Sequence, residues 1–377
     1  MRIAHSRALA VAASSLIGFL VLLAPVASSA QTTAPAAGFA YGFQVHLWHF
    51  DQIARSNVIG DVKQAGFNWM TEQIEWQSVE TDVGQYDWTE LDKIVGDGTK
   101  AGLRIMLSFA HAPAFYRSDT SGLMPADPST FGTFMQAVAS RYPGQIQAYE
   151  LWNEENLDRE AGPGNVDPTT YLPILEAGYA GVKAGDPTAM VLLGAPSPTG
   201  ANIPGAVIDD LSYLQQLYAI NGGEVMGYFD ALSAHPSGFS NPPDCTPAHP
   251  ECSLSGGFNS DDSFFAFTRI SEYRDVMVQN GDGAKQIWLT EFGYCSNPLP
   301  PLGYEYCKYI TEEQQALFLV QAFKMARATP YVGGMFQWNL NFQMSVPQSD
   351  EKWGFGIVRA DYSGRPAYGA LLGMPKP

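Results

Sequence analysis

The chain has 377 residues, of which 46% are hydrophobic and only 16% are charged. This length allows one large domain or two ordinary ones, and the apolar content is ample for a large core. A formal net charge of −17 argues against nucleic acid or anionic lipid as a partner, and it leaves neutral and cationic ligands open.

The first thirty residues have the layout of a secretory signal peptide. A basic start with two arginines precedes the apolar run Leu20–Leu23, and Ser28-Ser29-Ala30 offers a small-residue cleavage site. A membrane anchor is the alternative, although the apolar run is short. We therefore expect a secreted protein, extracellular or periplasmic, with no membrane segment after cleavage and a mature charge of −19 once both arginines are gone. Residues 31–38 are predicted to be a flexible leader, and residues 39–377 to form one folded domain.

From residue 39 onward, short β-branched or aromatic runs alternate with longer amphipathic patterns. The candidate strands are Ala40–Leu47, Phe67–Ile74, Arg104–Phe109, Gln147–Trp152, Met190–Gly194, Phe229–Ala234, Gln286–Thr290 and Gly334–Trp338. The candidate helices are Leu91–Lys100, Phe131–Arg141, Tyr171–Ala184, Leu211–Ala219, Phe264–Gln279 and Glu312–Ala328, with a short closing helix over Arg365–Met374. Eight strands with helices in most gaps predict an α/β fold, a single (β/α)8 TIM barrel.

Polar and aromatic side chains follow most of the predicted strands. In chain order they are His46, Glu75 and Trp76, His111, Asn153 and Glu154, His235, Glu291, and Trp338. In a (β/α)8 barrel the active site is built at the C-terminal ends of the strands. The sequence therefore predicts that these side chains surround one site.

Glu154 and Glu291 end the fourth and seventh predicted strands, which face one another across the mouth of such a barrel. The chain also has 8 Trp, 18 Tyr and 21 Phe, and aromatic rings are natural platforms for sugar rings. Two facing carboxylates suit glycoside hydrolysis, in which they lie about 5–5.5 Å apart in retaining enzymes and roughly 6.5–9.5 Å apart in inverting ones. The sequence does not give this separation.

Other assignments of these residues are less favoured. Glu155 is adjacent to Glu154, but the Asn-Glu order favours Glu154, and Glu150 belongs to the strand interior. A metal site built from nearby histidines is disfavoured because no ligand spacing is diagnostic, so we expect no metal and no cofactor. The chain has neither a GxSxG elbow nor a GK[ST] phosphate loop, and esterase and nucleotide-dependent roles lack support.

The four cysteines all lie in the exported part of the chain. In an oxidising compartment they favour two local disulfides, Cys245–Cys252 and Cys295–Cys307, among the three pairings that four cysteines allow. A zinc site is the alternative, but neither spacing is a CxxC pair.

The pair Asn153-Glu154 after the fourth strand, together with Glu291 in the seventh, resembles the hallmark of clan A, a large superfamily of retaining β-glycosidases. The spacing is most similar to glycoside hydrolase families 39 and 5, and the resemblance covers Gly42 to Met374. It implies that Glu154 is the general acid/base and Glu291 the nucleophile. It further implies that Asn153 binds the sugar 2-hydroxyl, that His235 stands near the nucleophile and that Trp338 is a sugar platform. Four more residues are predicted to bind substrate: His46, Glu75, Trp76 and His111.

Two positions depart from the superfamily pattern. Thr71 stands where relatives commonly have an Arg beside the nucleophile, and Ser237 stands where they often have a Tyr. Tyr294 and Tyr304 are candidates to replace the missing groups. The departures leave open a carbohydrate-binding barrel without catalysis, and a barrel hydrolase of another chemistry is a third alternative.

The favoured function is a secreted retaining β-glycosidase that acts on a β-linked polysaccharide or oligosaccharide. Family 39 β-xylosidases typically carry an additional β-sandwich, for which this chain has no room, and this favours endo over exo action. An exo-acting enzyme resembling β-xylosidases or β-glucosidases is the alternative. Carbohydrate is the only partner expected, and the protein is expected to be a monomer.

Overall fold

The computed structural model describes residues 38–118, 122–246 and 263–376. Its strands, in chain order, are β1 Ala40–Gln44, β2 Trp69–Glu75, β3 Glu80–Asp82, β4 Gln85–Tyr86, β5 Arg104–Ala110, β6 Ala148–Leu151, β7 Met190–Leu193, β8 Leu232–Ala234, β9 Ile287–Phe292 and β10 Val332–Gln337. Eight of them form one parallel sheet in the order β7-β6-β5-β2-β1-β10-β9-β8, and β3 pairs with β4 in a separate antiparallel hairpin.

The two ends of the parallel sheet come together between β7 and β8. A single parallel bridge joins Leu192 to Ala231, and the amide of Asp230 donates to the carbonyl of Val191 at 2.7 Å. The sheet is thus a nearly closed barrel of eight strands, with helices between them. This confirms the predicted single-domain (β/α)8 fold.

The helices alternate with the barrel strands along most of the chain. They are α1 Gln52–Gln64, α2 Trp76–Val79, α3 Thr89–Lys100, α4 Pro128–Arg141, α5 Asp158–Ala161, α6 Pro168–Gly185, α7 Asp210–Ala219, α8 Ile270–Gln279, α9 Glu312–Ala328 and α10 Pro366–Gly373. Each predicted strand and helix is present, with bounds moved by a few residues. The largest correction is the predicted helix over Phe264–Gln279, which begins at Ile270 because residues 263–269 form short 3₁₀ turns.

Helix α1 and the β3–β4 hairpin are absent from the sequence prediction. Helix α1 buries few apolar side chains, chiefly Val58, Ile59 and Val62, so its amphipathic pattern is weak. Its start is fixed by the Asp51 carboxylate, which accepts a hydrogen bond from the amide of Ala54 at 2.8 Å. The hairpin strands are only three and two residues long, too short to show an alternating pattern.

The barrel interior is layered, and its layers position the site. An apolar layer takes one side chain from each strand or its edge: Ala40, Trp69, Met106, Ala148, Leu192, Ala231, Trp288 and Phe336. Since strand side chains alternate, the residues two positions further on also point inward. These are largely polar and buried, and they include Thr71, Ser108, Glu150, Ser233 and Thr290. This layer of buried polar side chains, called the polar floor below, lies beneath the site at the C-terminal end of the barrel.

Two further sequence predictions concern the membrane and the cysteines. Within the described part of the chain, no helix is long and apolar enough to cross a bilayer. The disulfide Cys295–Cys307 is present and links the loop after β9, which excludes zinc at that pair. The predicted partner of Cys245, Cys252, lies outside the described residues, as do the signal peptide and most of the leader, and these remain predictions.

Candidate active site

A cavity of about 680 Å³ opens at the C-terminal end of the barrel. Its volume is typical of ligand-binding pockets, which occupy roughly 300–1,000 Å³. Among the predicted site residues, those that line it are His46, Glu75, His111, Asn153, Glu154, His235, Glu291 and Trp338. The sequence prediction thus identified one continuous site, with the exception of Trp76.

The turn after β6 places Glu154 in this cavity. Trp152 and Glu154 both adopt left-handed backbone conformations, with φ of 83° and 43°, which for residues other than glycine cost about 1–3 kcal/mol and cluster at functional sites. Their surroundings hold them there. The amide of Glu154 donates to the carbonyl of Ala195, and the side-chain amide of Asn156 donates to two backbone carbonyls across the turn.

The neighbouring carboxylates differ sharply in their surroundings. Glu154 lines the cavity, whereas Glu155 is wholly buried behind it and neither of its carboxylate oxygens has a hydrogen-bond partner within the described structure. Glu150 lies on the polar floor, 2% exposed, and does not line the cavity. The preference for Glu154 over its two neighbours therefore agrees with the geometry.

His235 stands between the two candidate catalytic carboxylates. Its Nδ1 lies 3.3 Å from Glu154 Oε1 and 3.9 Å from Glu291 Oε2, and its side chain is buried. Burial opposes protonation of His235, but the charges of Glu291 and Glu154 outweigh it and raise the pKa of the imidazole. A cationic His235 holds the two carboxylates on either side of one nitrogen.

Arg159, on helix α5, is the second cation beside Glu154. Its Nη2 donates to Glu154 Oε2, its Nε lies 3.7 Å from Glu160 Oε1, and its Nη1 lies 3.7 Å from Glu351 Oε1. The Arg159 side chain is 49% exposed, so it forms part of the wall between the cavity and solvent. One guanidinium is therefore shared by three carboxylates.

These contacts set the ionisation of the two carboxylates in opposite directions. Burial works against ionisation of Glu154, but the hydrogen bond from His235 and the charge of Arg159 outweigh it and hold its pKa well below the usual range. Burial raises the pKa of Glu291, although the charge of His235 acts in the other direction. Glu154 is accordingly the ionised carboxylate, and Glu291 is the group that holds a proton more readily.

Thr71 explains part of this asymmetry. It is 3% exposed and belongs to the polar floor, so it adds no positive charge at the position where relatives commonly have an Arg. Without that charge, Glu291 depends on His235 to favour its ionised form.

A second group of charges adjoins the first through Glu160. His111 Nε2 lies 2.9 Å from Glu160 Oε2, and its Nδ1 lies 3.8 Å from Glu75 Oε1. Burial opposes protonation of His111, but the two glutamates outweigh it and raise its pKa to about 9. His111 is thus a cation at neutral pH, and it links β2 to helix α5.

His46 differs from His111 in its charge. Burial, together with the nearby charges of Lys352 and His49, lowers the pKa of His46 to about 4, so its ring is neutral at pH 7. Its Nδ1 lies 3.6 Å from Glu72 Oε1, and that oxygen also accepts hydrogen bonds from the amides of Leu47 and Trp48. Glu72 is 2% exposed and lines the cavity beside His46.

An aromatic wall covers the side of the cavity formed by β10 and the loop after β9. Trp338 is partly exposed there, with its ring 4.7 Å from that of Phe355 in an edge-to-face contact. The other aromatic side chains that line the cavity are Phe239, Phe292, Tyr304, Tyr306 and Phe342. This wall offers apolar faces to a ligand, and the role of Trp338 as a sugar platform stays a prediction.

Trp76 is the one predicted site residue that does not reach the cavity. Its side chain is wholly buried, its ring stacks on Phe134 and Tyr116, and its Nε1 donates to Glu80 Oε2 at 2.6 Å. The prediction that Trp76 binds substrate is therefore wrong. The strand β2 ends at Glu75 and helix α2 begins at Trp76, and this change of direction turns the ring into the core.

The two tyrosines proposed as replacements have different locations. Tyr294 is buried and donates to the carbonyl of Asn241 at 2.8 Å, whereas Tyr304 lines the cavity beside Glu351. Ser237 also lines the cavity. Tyr304 is thus the one of the two that can contact a ligand.

Several lining residues were not found by sequence reasoning, notably Arg159, Glu160, Glu351 and Lys352. They lie on loops and on short helices after the strands, at distances from the strand ends that no motif fixes. The only available signal was the closeness of Arg159 to Glu154, five positions earlier. A charged residue at that distance is normally taken as part of a solvated helix.

Comparison with known proteins identifies the family. The sequence profile of the family described as Cellulase (glycosyl hydrolase family 5) matches residues 31–242, more than half of the chain. This stretch includes Glu154 and His235 but not Glu291. A search of curated proteins finds no match.

Solved structures of three glycoside hydrolase families share the fold. A family 39 glycoside hydrolase from Bacteroides cellulosilyticus WH2 superimposes with a TM-score of 0.65 at 19% identity, covering 89% of this chain and 63% of that chain. GH5_18 from Streptomyces cattleya, in complex with GlcNAc, gives 0.62 at 13% identity, covering 89% and 79%. Xylanase 10B from Thermotoga maritima gives 0.58 at 16% identity, covering 89% and 94%.

This chain spans less than two thirds of the family 39 structure, and identities this low establish the common fold alone. The match to the family profile adds the class of activity, glycoside hydrolysis. The chain is a glycoside hydrolase that belongs to the cellulase family, glycosyl hydrolase family 5, within clan A.

Proposed function

We propose that this protein cleaves β-linked glycans by double displacement, with Glu154 as general acid/base and Glu291 as nucleophile. The observation that carries the proposal is the approach of both carboxylates to His235 Nδ1, at 3.3 and 3.9 Å. The sum of these distances, 7.2 Å, is an upper limit on the separation of the two oxygens. This limit on one pair of oxygens is compatible with the about 5–5.5 Å between the carboxyl groups of retaining enzymes.

In the first step a Glu291 oxygen bonds to the anomeric carbon while the glycosidic bond breaks, and Glu154 gives its proton to the departing oxygen. In the second step water attacks that carbon, Glu154 takes the water proton, and the Glu291 ester bond breaks with its electron pair returning to the carboxylate. Asn153 Oδ1 and His235 Nε2 are buried without a hydrogen-bond partner among the described residues. Both lie where sugar hydroxyls would complete their hydrogen bonds.

The charges of the cavity favour a neutral glycan. Four lining carboxylates, Glu75, Glu154, Glu160 and Glu351, face four cations, Arg159, Lys352, His111 and His235, while burial raises the pKa of Glu72 and of Glu291 to about 8. The lining therefore has no excess of either charge that would attract a polyionic substrate. The aromatic wall around Trp338 suits the apolar faces of neutral sugar rings.

We propose endo action for this site. The cavity has a volume of about 680 Å³ and is lined by residues from β1 to the segment after β10, which supports binding of more than one sugar residue. Release of a ladder of oligosaccharides would support endo action, whereas release of single sugars from one chain end would support the exo alternative.

The first test is reducing-end release from β-glucans, xylans, mannans and bacterial exopolysaccharides, with Glu291→Gln as the control. We expect the wild type to release sugar and the variant to release none. Wild-type inactivity across the panel, or full activity of Glu291→Gln, would overturn the proposal.

The second test separates the roles of the two glutamates, because an ionised Glu154 beside a protonated Glu291 would equally suit the reverse assignment. A 2-fluoro glycoside with an activated leaving group should trap a glycosyl ester, and peptide mapping should locate it on Glu291. A label on Glu154 would reverse the two roles while keeping the double displacement.

We also propose that the enzyme is secreted and acts as a monomer. The N-terminal layout of the first thirty residues supports export. Sequencing of the exported protein should begin at Gln31, and light scattering should give the mass of one chain.

A further inference from the structure

The charged residues of the cavity form one chain of alternating sign. It runs from Glu75 through His111 and Glu160 to Arg159, and then through Glu154 and His235 to Glu291. Consecutive members lie within 4 Å of each other. Arg159 touches Glu154 and has within reach two carboxylates outside the catalytic pair, Glu160 and Glu351.

The contact between Arg159 and Glu154 conflicts with the first step of the reaction. That step requires a proton on Glu154, and a protonated carboxyl has no charge for the guanidinium to neutralise. The second step requires the opposite state, since Glu154 must then accept a proton from water. The observed ion pair therefore matches the enzyme as the second step needs it.

Arg159 has alternative partners that need little movement to reach. Its Nε and Nη1 already lie 3.7 Å from Glu160 Oε1 and from Glu351 Oε1, respectively. The side chain is 49% exposed, so it is not locked by core packing. A shift of about 1 Å would exchange the contact with Glu154 for full hydrogen bonds to these two glutamates.

We propose that Arg159 is a positioning residue that alternates between two sets of partners during the reaction. It rests on Glu160 and Glu351 while Glu154 carries the proton of the first step. It returns to Glu154 in the glycosyl-enzyme, where it holds the carboxylate ready to take the proton of the attacking water. This inference rests on the proposed function, and it assigns a role to a residue that no motif in the sequence indicates.

Other ionisable groups also act on Glu154 or on Arg159. They are His235 after β8, Glu291 on β9, Glu155 next to Glu154, Glu160 on α5, Tyr304 and Tyr306 after β9, and Glu351 after β10. In the glycosyl-enzyme Glu291 is an ester and carries no charge. The second step therefore reports the ionisation of Glu154 without the charge of Glu291 nearby.

The test uses an activated aryl glycoside, for which the second step limits kcat and a burst of aryl alcohol marks accumulation of the glycosyl-enzyme. The acidic limb of the pH profile of kcat then reports protonation of Glu154. In Arg159→Gln this limb should move to higher pH by about one unit or more, as expected when an opposite charge within 4–6 Å is lost. Arg159→Lys should keep part of the wild-type position.

Two further variants complete the design. Arg141→Gln removes another partly exposed arginine, paired with Asp92 at 2.7 Å outside the cavity, and should leave the profile unchanged. The double change Glu160→Gln and Glu351→Gln removes the alternative partners. It should lower kcat/KM for substrates with poor leaving groups by about tenfold, while activated substrates, which need little proton donation, change less.

The outcomes are distinguishable from one another. An inactive wild type on all substrates contradicts the proposed function itself. An active wild type whose acidic limb coincides with that of Arg159→Gln overturns the role of Arg159. A fall in thermal stability of Arg159→Gln without a shift of the limb assigns the arginine to structure only, and also overturns the proposal.

Discussion

The neighbouring glutamates 154 and 155 show how strongly position decides the chemistry of a residue. Glu154 reaches a cavity with two cations beside it, whereas Glu155 is wholly buried and unpaired within the described structure. Burial raises the pKa of Glu155 to about 8, so it remains protonated at neutral pH. The same side chain is a catalytic candidate at one position and a neutral core residue at the next.

The protonated state of Glu155 makes stability depend on pH. Its pKa in the folded state, about 8, lies above the value of 4.5 for an unperturbed glutamate. The contribution of protonated Glu155 to the free energy of unfolding is therefore complete below about pH 4.5. It is lost as the pH rises to about 8, because the unfolded chain releases this proton at lower pH than the folded chain does. We expect Glu155→Gln to reduce the difference in the free energy of unfolding between pH 5 and pH 8, as measured by denaturant unfolding at both pH values. An equal pH 5 to pH 8 difference in wild type and variant would contradict the assignment.

Trp76 and Trp338 form a second informative pair, one in the core and one in the cavity. Trp76→Ala should lower the free energy of unfolding by about 3–5 kcal/mol, the usual cost of truncating a buried tryptophan. Trp338→Ala should instead weaken glycan binding by about tenfold, or ~1.4 kcal/mol, with a smaller loss of stability. Chemical denaturation and a binding titration on both variants measure the two effects. The opposite pattern would restore Trp76 to the site and remove Trp338 from it.

At the scale of elements, helices α4 and α6 pack through glycines. A Cβ added at Gly181 would lie 2.1 Å from the carbonyl oxygen of Gly132, and one added at Gly132 would lie 2.7 Å from that of Ala177. Backbone atoms cannot move aside as a flexible side chain can. The two helices therefore approach closely only because these positions lack side chains.

This contact predicts a marked cost for one methyl group. Gly181→Ala should destabilise the protein by about 1–3 kcal/mol or more, since the clash is with backbone. Gly96→Ala on the exposed face of α3, with no atom within 4 Å of the added Cβ, is the matched control. There the substitution should be neutral or stabilising by about 0.5–1 kcal/mol. Thermal unfolding of both variants checks the prediction. A Gly181→Ala variant that unfolds at the same temperature as the wild type would contradict it.

At the scale of the whole molecule, the strand ladders are uneven around the barrel. Strands β2 and β5 pair over seven residues, whereas β7 and β8 share the single bridge between Leu192 and Ala231. The seam between β7 and β8 is therefore the part of the barrel that opens with the least loss of backbone hydrogen bonds.

Native-state hydrogen exchange tests this difference. The amides of Leu193 and Ala231 make long bonds across the seam, 3.3 and 3.4 Å, and we expect them to exchange before the amides within β5. Both residues are buried, so solvent exposure in the folded state does not explain the difference. Uniform protection of all eight strands would mean that the barrel opens only as a whole.

The sequence by itself determined the fold class and most of the site. The alternation of short strands and amphipathic helices predicted the barrel. Because active sites of such barrels lie at the C-terminal ends of the strands, Glu154, Glu291 and His235 were then predicted to lie together at that end. These conclusions are local, because periodicity and position relative to a strand end are properties of neighbouring residues. Trp76 shows where the rule fails, since one further residue beyond the strand end turned its ring into the core.

Only the tertiary structure decided the electrostatics. Arg159, Glu160 and Glu351 meet because loops after different strands converge, and no spacing in the sequence encodes that convergence. The same is true of the buried state of Glu155, which depends on what covers it. Burial and through-space charge depend on three-dimensional distance, and they set which of the two carboxylates, Glu154 or Glu291, is ionised.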